Sequence, residues 1–112
     1  MKKLMIVTNV TGKEESLSMA IVQGLLLSVS SARFHDATAR TNQEKPDFIL
    51  VDCDAKDGAR TIEKLESLES DAKVFGFGFS KQPASVQNYV RLPILISELA
   101  SVFNIKTNKG EK

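Results

Sequence analysis

The chain has 112 residues with 15 basic and 14 acidic side chains, a net charge of +1 and 42% hydrophobic residues, the balance of one globular domain with one core. No basic excess clusters on one face, which argues against nucleic-acid binding. The apolar run behind Lys2 and Lys3 is too short for a signal-peptide core or a membrane span, so a soluble, cytoplasmic protein is expected.

One cysteine, Cys53, and one histidine, His35, rule out an internal disulfide, a multi-thiolate metal site and any triad needing a second histidine. In chain order, Leu4 to Val7 is an apolar run suited to a strand buried on both faces. Thr8 to Gly12 is a polar break. Lys13 to Val29 carries Leu17, Ile21, Leu25 and Val29 at steps of four, a broad helical stripe, with Glu14 and Glu15 in the first turn, where the helix dipole favours negative charge. Ala32 to Ala37 reads as a short strand. Thr38 to Lys45 is polar and reads as a turn or two of helix, or a loop.

Pro46 introduces a second doubly buried strand, Phe48 to Val51, which runs into Asp52. Asp57 and Gly58 make a turn, and Thr61 to Leu68 is an amphipathic helix with Ile62, Leu65 and Leu68 on its apolar face. In KVFGFGFS, Lys73 to Ser80, Phe75, Phe77 and Phe79 alternate with Gly76 and Gly78. Period two means a strand with three rings on one face and bare backbone on the other, and such glycines mark close approach by a backbone or a ligand. Lys81 to Gln87 is a short link, Asn88 to Leu92 a fifth strand, and Leu95, Leu99, Val102 and Phe103 line a last helix. The charged end, Thr107 to Lys112, is expected to be a flexible tail on a single domain spanning 1–106.

Strands alternating with helices argue for an open, doubly wound parallel sheet. In such α/β sheets functional groups gather at the carboxyl ends of the strands. Those ends here carry Thr8 and Asn9, Asp52, Ser80 and Leu92.

On KKLMIVTN at the first strand, PDFILVDCDAKDG at the third and YVRLP before the last helix, the chain resembles the receiver domain of two-component response regulators over about residues 2–105. The resemblance implies a flavodoxin-like five-stranded sheet in the order 2-1-3-4-5. It implies a phosphoacceptor at Asp52, two acids holding Mg²⁺ at the positions of Thr8 and Asn9, a hydroxyl near Ser80 and a lysine at the position of Leu92. Arg91 is one residue too early for that lysine, and strand alternation sends it to the other face. Lys56 stands where receivers commonly have a proline, and the Asp57–Gly58 pair comes early. The link before the fifth strand is too short for a full fourth helix, which is expected to be shortened or missing. This combination resembles a pseudo-receiver.

Phosphoryl transfer to a carboxylate needs the charge on the phosphoryl oxygens neutralised by a metal and a positioned cation. Mg²⁺ takes hard oxygen ligands and usually a carboxylate or two. With Thr8 and Asn9 in place of acids, Asp52 is the main charged ligand, with Asp54 in the same loop. Asp52 has a plainer role open to it, since an aspartate ending a strand accepts hydrogen bonds from nearby backbone N–H groups. Asn9 likewise suits a strand-to-helix turn. The glycines of FGFGF lack the strand–helix context of a phosphate fingerprint, and Gly12–Lys13 lacks the earlier glycine and following hydroxyl of a P-loop. Cys53 reads as a small buried filler. His35 and Asp36 read as a poor catalytic pair on a strand.

No catalytic residue, resident metal or cofactor is therefore expected, and the chain is not expected to be an enzyme. The leading expectation is a stand-alone pseudo-receiver, a phosphorylation-independent interaction module in bacterial signalling. Its partner would be another signalling protein, or a second copy through the face of the fifth strand and last helix. Neither nucleic acid nor membrane is expected as a partner. Tyr89, Arg91, Ile94, Leu95 and Ile96 form the candidate surface, although Ile94 and Leu95 have an inward packing below Pro93 open to them. The alternative is an atypical single-domain response regulator, phosphorylated on Asp52 by a histidine kinase and using Mg²⁺. A weaker third reading is a small-ligand binder on the face of Gly76 and Gly78.

Overall fold

The structure is a computed structural model that describes residues 2–10, 27–68, 70–92 and 96–103. Five strands form one parallel sheet: β1 (Lys2–Val7), β2 (Leu27–Ala32), β3 (Phe48–Asp52), β4 (Lys73–Gly78) and β5 (Tyr89–Arg91), in the order β2-β1-β3-β4-β5. The described helices are α1 (Ala37–Glu44), α2 (Gly58–Glu66) and α3 (Ile96–Phe103), with a 3-10 turn at Phe34–Asp36 before α1. The expected strand order holds.

Alternation along the strands divides the core in two. Leu4 and Ile6, Phe48 and Leu50, Phe75 and Phe77, and Val90 face Leu99, Ala100 and Phe103 of α3. Phe103 stacks on Phe48 at 4.6 Å between ring centroids and meets Phe75 edge-on at 5.4 Å. Met5 and Val7, Ile49 and Val51, and Val74 face the other way, onto Ala37 of α1 and Ile62 and Leu65 of α2. All five β3 residues are buried, as expected of a central parallel strand covered on both sides.

Several elements differ from their sequence reading. β2 runs from Leu27 to Ala32 rather than from Ala32 to Ala37, so Leu27 to Val29 belong to a strand and not to a helix. A step of four from Leu25 to Val29 suits a helix, but the β2 register pairs Leu4 with Val29 and Val7 with Ala32. Val29 packs on the α3 face and Ala32 on the other, and an edge strand needs little more. The remainder of the expected first helix, 13–26, and the charged end, 107–112, lie outside the described residues. The polar segment after β2 is a helix, α1, with only Ala37 and Thr41 buried, which is why its pattern is faint.

β4 ends at Gly78, so only two of the three aromatic rings enter the core. Phe79 lies beyond the strand and is 58% exposed. Between β4 and β5 the chain makes a turn at Ala84–Ser85 and no helix, in line with a shortened or missing fourth helix. No helix of the described residues is long and apolar enough to cross a membrane.

Candidate functional site

Asp52 closes β3 on the same side as Phe48 and Leu50 and is 0% exposed. A buried carboxylate needs hydrogen-bond donors. The Thr8 hydroxyl donates to Asp52 Oδ2 at 2.7 Å, and the Asp54 backbone N–H donates to Oδ1 at 3.1 Å. Thr8, itself buried, accepts the Val10 N–H on its oxygen at 3.1 Å. That bond leaves its single hydroxyl proton directed at Asp52, so the end of β1 and the end of β3 are joined by a polarised chain.

The other positions singled out from sequence do not all converge there. Asn9 is exposed. Its side-chain oxygen accepts the Phe34 N–H at 3.0 Å, and its carbonyl accepts from the Arg33 guanidinium at 2.8 Å, so it fastens the connection after β2. The residue in register with Asp52 on β4 is Phe77, fully buried on the same face. Ser80 lies three residues further on and is exposed. Leu92 is half-buried against the α3-side core, with its N–H donated to the Gly78 carbonyl at 2.8 Å. Asp52 therefore has an aromatic ring beside it across the sheet, and an aliphatic side chain follows β5 on that face.

Asp54, two residues past Asp52, has a structural task that the spacing did not reveal. Its carboxylate accepts the Phe79 N–H at 3.0 Å and the Ser80 N–H at 3.1 Å. It thereby fixes the start of the link that follows β4. The Tyr89 hydroxyl donates to the Ser80 carbonyl at 2.7 Å. The Gln82 amide donates to the Val86 carbonyl at 2.6 Å and the Gln87 carbonyl at 3.2 Å. Val86 is buried. The only signal in the sequence was the second acid of DCD, since short acidic side chains commonly capture nearby backbone N–H groups.

The glycines of β4 make this closure possible. A methyl group at Gly76 would stand 2.6 Å from Cys53 Sγ and 3.1 Å from Val86 Cγ1, and one at Gly78 would stand 2.5 Å from Asp54 Oδ1 and 2.8 Å from the Tyr89 hydroxyl. The bare backbone expected on that face is real, but the chain itself fills it, and a small ligand there would have to displace those side chains.

Cys53 is half-buried, and burial pushes its thiol up to about 11, with the negative charges of Asp52 and Asp54 adding to the shift. It is a protonated filler at neutral pH. His35 and Asp36 lie on the 3-10 turn, not on a strand, and approach to 3.5 Å with side chains 77% and 50% exposed. An exposed pair of that kind has little energetic weight. Of the candidate recognition surface, Tyr89 is half-buried and turned onto its own chain, and Arg91 is exposed. Ile94, Leu95 and the side chain of Ile96 lie outside the described residues.

No protein-family model matches the sequence, and no curated protein does. Solved structures do. A CheY-like response regulator receiver domain from Methylobacillus flagellatus superposes with a TM-score of 0.79 at 17% identity, over 93% of this chain and 97% of that one. The chemotaxis protein CheY4 of Vibrio cholerae gives 0.77 at 14% identity, over 93% and 97%. A response regulator from Thermotoga maritima gives 0.75 at 14%, over 93% and 98%. At these identities the likeness is one of fold, and the fold is that of the CheY-like receiver domains, a five-stranded parallel sheet in the order β2-β1-β3-β4-β5 with helices on both faces.

Proposed function

We propose that this chain is a degenerate receiver, a phosphorylation-independent interaction module of two-component signalling that works in the cytoplasm through contact with another signalling protein. The observation that carries the reading is the bond from Thr8 to Asp52. A hydroxyl donor occupies a place where phosphotransfer needs an acid that helps bind a cation, and it is already spent on the carboxylate. The donor set supports the same view of Mg²⁺. Asn9 turns its oxygen to Phe34, and Asp54 uses both of its oxygens on backbone N–H groups. Among the described residues no three His, Cys, Asp or Glu side chains gather as a metal site. These residues do not fit a divalent ion that prefers near-octahedral oxygen ligation, and Leu92 supplies no cation to a phosphoryl group. The protein has no enzymatic role in this reading.

The second reading, phosphorylation of Asp52 by a histidine kinase, draws on the position of this carboxylate at the carboxyl end of the central strand in a receiver fold. A two-dimensional amide NMR titration with Mg²⁺ and then beryllofluoride separates the two. The interaction-module reading expects unmoved amides at Asp52, Cys53, Asn9 and Ser80. Saturable shifts clustered at those residues would overturn it.

A further inference from the structure

The link that stands where receivers carry a fourth helix also changes the opposite end of the sheet. β4 pairs with β3 along Lys73–Phe77 but with β5 only along Gly76–Gly78. Backbone groups of successive strand residues point to opposite neighbours. Lys73 donates its N–H to the Asp47 carbonyl and Phe77 accepts from Cys53 on the β3 side, while Gly76 donates to the Asn88 carbonyl on the β5 side. By this alternation the N–H and C=O of Val74 point into the β5 lane. Among the described residues no hydrogen bond reaches either group. Val74 is nevertheless only 7% exposed, and sheltered backbone groups are almost always paired.

Beside Val74 lies a groove of about 410 Å³. One wall is Leu65 and Leu68, and the other is Phe75 with Val102 of α3. Val102 is 40% exposed. Exposed Glu66 and Lys73 stand on the rim with opposite charges. Backbone left unpaired by the described residues at the floor, apolar walls on both sides and a bipolar rim match an extended peptide. Its main chain would pair with Val74 and its alternate side chains would meet the two walls.

We propose that the β5 lane beside Val74 is a strand-addition site, which takes an extended, apolar peptide segment of a partner protein bearing a basic residue towards Glu66 and an acidic one towards Lys73. The inference rests on the reading of this chain as an interaction module and gives that module a place and a recognition chemistry.

The test uses heptapeptides alternating valine and threonine, with lysine and glutamate at the two ends in either order, and the same peptides N-methylated at alternate residues. In the free protein the Val74 amide should exchange with solvent at least tenfold faster than the Gly76 amide. Peptide of one charge order should slow it tenfold and shift the methyl signals of Leu65, Leu68 and Val102. N-methylation should abolish both effects. The double variant Glu66→Lys, Lys73→Glu should reverse the preferred charge order. Val74 already protected in the free protein would overturn the proposal. So would equal binding of the N-methylated peptides, or no response to any peptide at millimolar concentration. Beryllofluoride shifts at Asp52 report on the opposite, carboxyl end of the strands, so failure of the phosphorylation-independent reading is seen separately from failure here.

Discussion

The two outer strands of the sheet are guarded unequally. β2 pairs with β1 along its whole length, Lys2↔Leu27 to Val7↔Ala32, and its Ser30 hydroxyl is tied at 2.7 Å to Glu44 of α1. β5 is three residues long and covers half of β4. Like any edge strand, β2 keeps an outward row of backbone groups, but its inner row is paired with β1 along its whole length, whereas β5 starts its pairing with β4 only at Gly76. Between these edges lies Asp52, whose neighbourhood is closed by bonds within the chain. The contrast is the basis on which we propose recognition at the short edge and a structural duty for the carboxylate.

The largest effect should come from the cover over the short edge. Phe103 packs on Phe48 and Phe75, so Phe103→Ala should destabilise the fold by about 3–5 kcal/mol, measured by urea denaturation. A loss under about 1 kcal/mol would mean that α3 contributes little to holding that side of the sheet. Next in size is Asp52→Ala. It strands the buried Thr8 hydroxyl and the Asp54 N–H and should cost about 1.5–3 kcal/mol, with Asp52→Asn milder because an acceptor remains. A more stable Asp52→Ala protein would sink the structural role, because a carboxylate that weakens its own fold is kept for some other task.

The architecture was legible in the sequence where apolar runs were unambiguous. Leu4 to Val7 and Phe48 to Val51 are buried on both faces and read as strands at once, and from them the parallel order followed. Where a residue satisfies two periodicities the reading failed. Val29 fits a helix four residues after Leu25 and equally fits a half-covered edge strand, and only the β1 pairing decides. α1 was faint because just two of its residues are buried. At the site, Asp52 was legible because a charge ends an apolar run. The engagement of Asp54 with Phe79 and Ser80 spans 25 and 26 residues and leaves no local pattern to read. The same holds for Phe77 standing beside Asp52, which depends on the β3–β4 register.

Asp54→Ala tests how the link before β5 is held. It removes the acceptor of two N–H groups at an exposed position and should cost about 1 kcal/mol. Its more telling effect is local. Hydrogen exchange should quicken at Phe79 and Ser80 and stay unchanged along β2. Tyr89→Phe, which deletes the bond to the Ser80 carbonyl, should add to the same loosening. Unchanged exchange in both variants would show that burial of Val86, and not the polar bonds, orders the link.

The smallest effect concerns the guarded edge and depends on pH. Glu44 is held below its ordinary value near 4.5, first by the Ser30 hydroxyl and then by Arg40, whose guanidinium reaches Glu44 Oε2 at 2.6 Å, with a weaker contribution from Lys3. A carboxyl whose value is lower in the folded state binds its proton more weakly there than in the unfolded chain. Its stabilising contribution is therefore complete above the unfolded value and is lost as pH falls from about 4.5 through the lower folded value. Glu44→Gln should remove this part of the acid sensitivity, so that wild type and variant differ most above the ordinary value of 4.5 and converge progressively as pH falls below it. Hydrogen exchange in β2 should report the difference first, because the bond from Ser30 joins that strand to α1. A constant gap between the two proteins across this range would mean that Glu44 acts through packing, and the edge would then owe its closure to the β1 ladder alone.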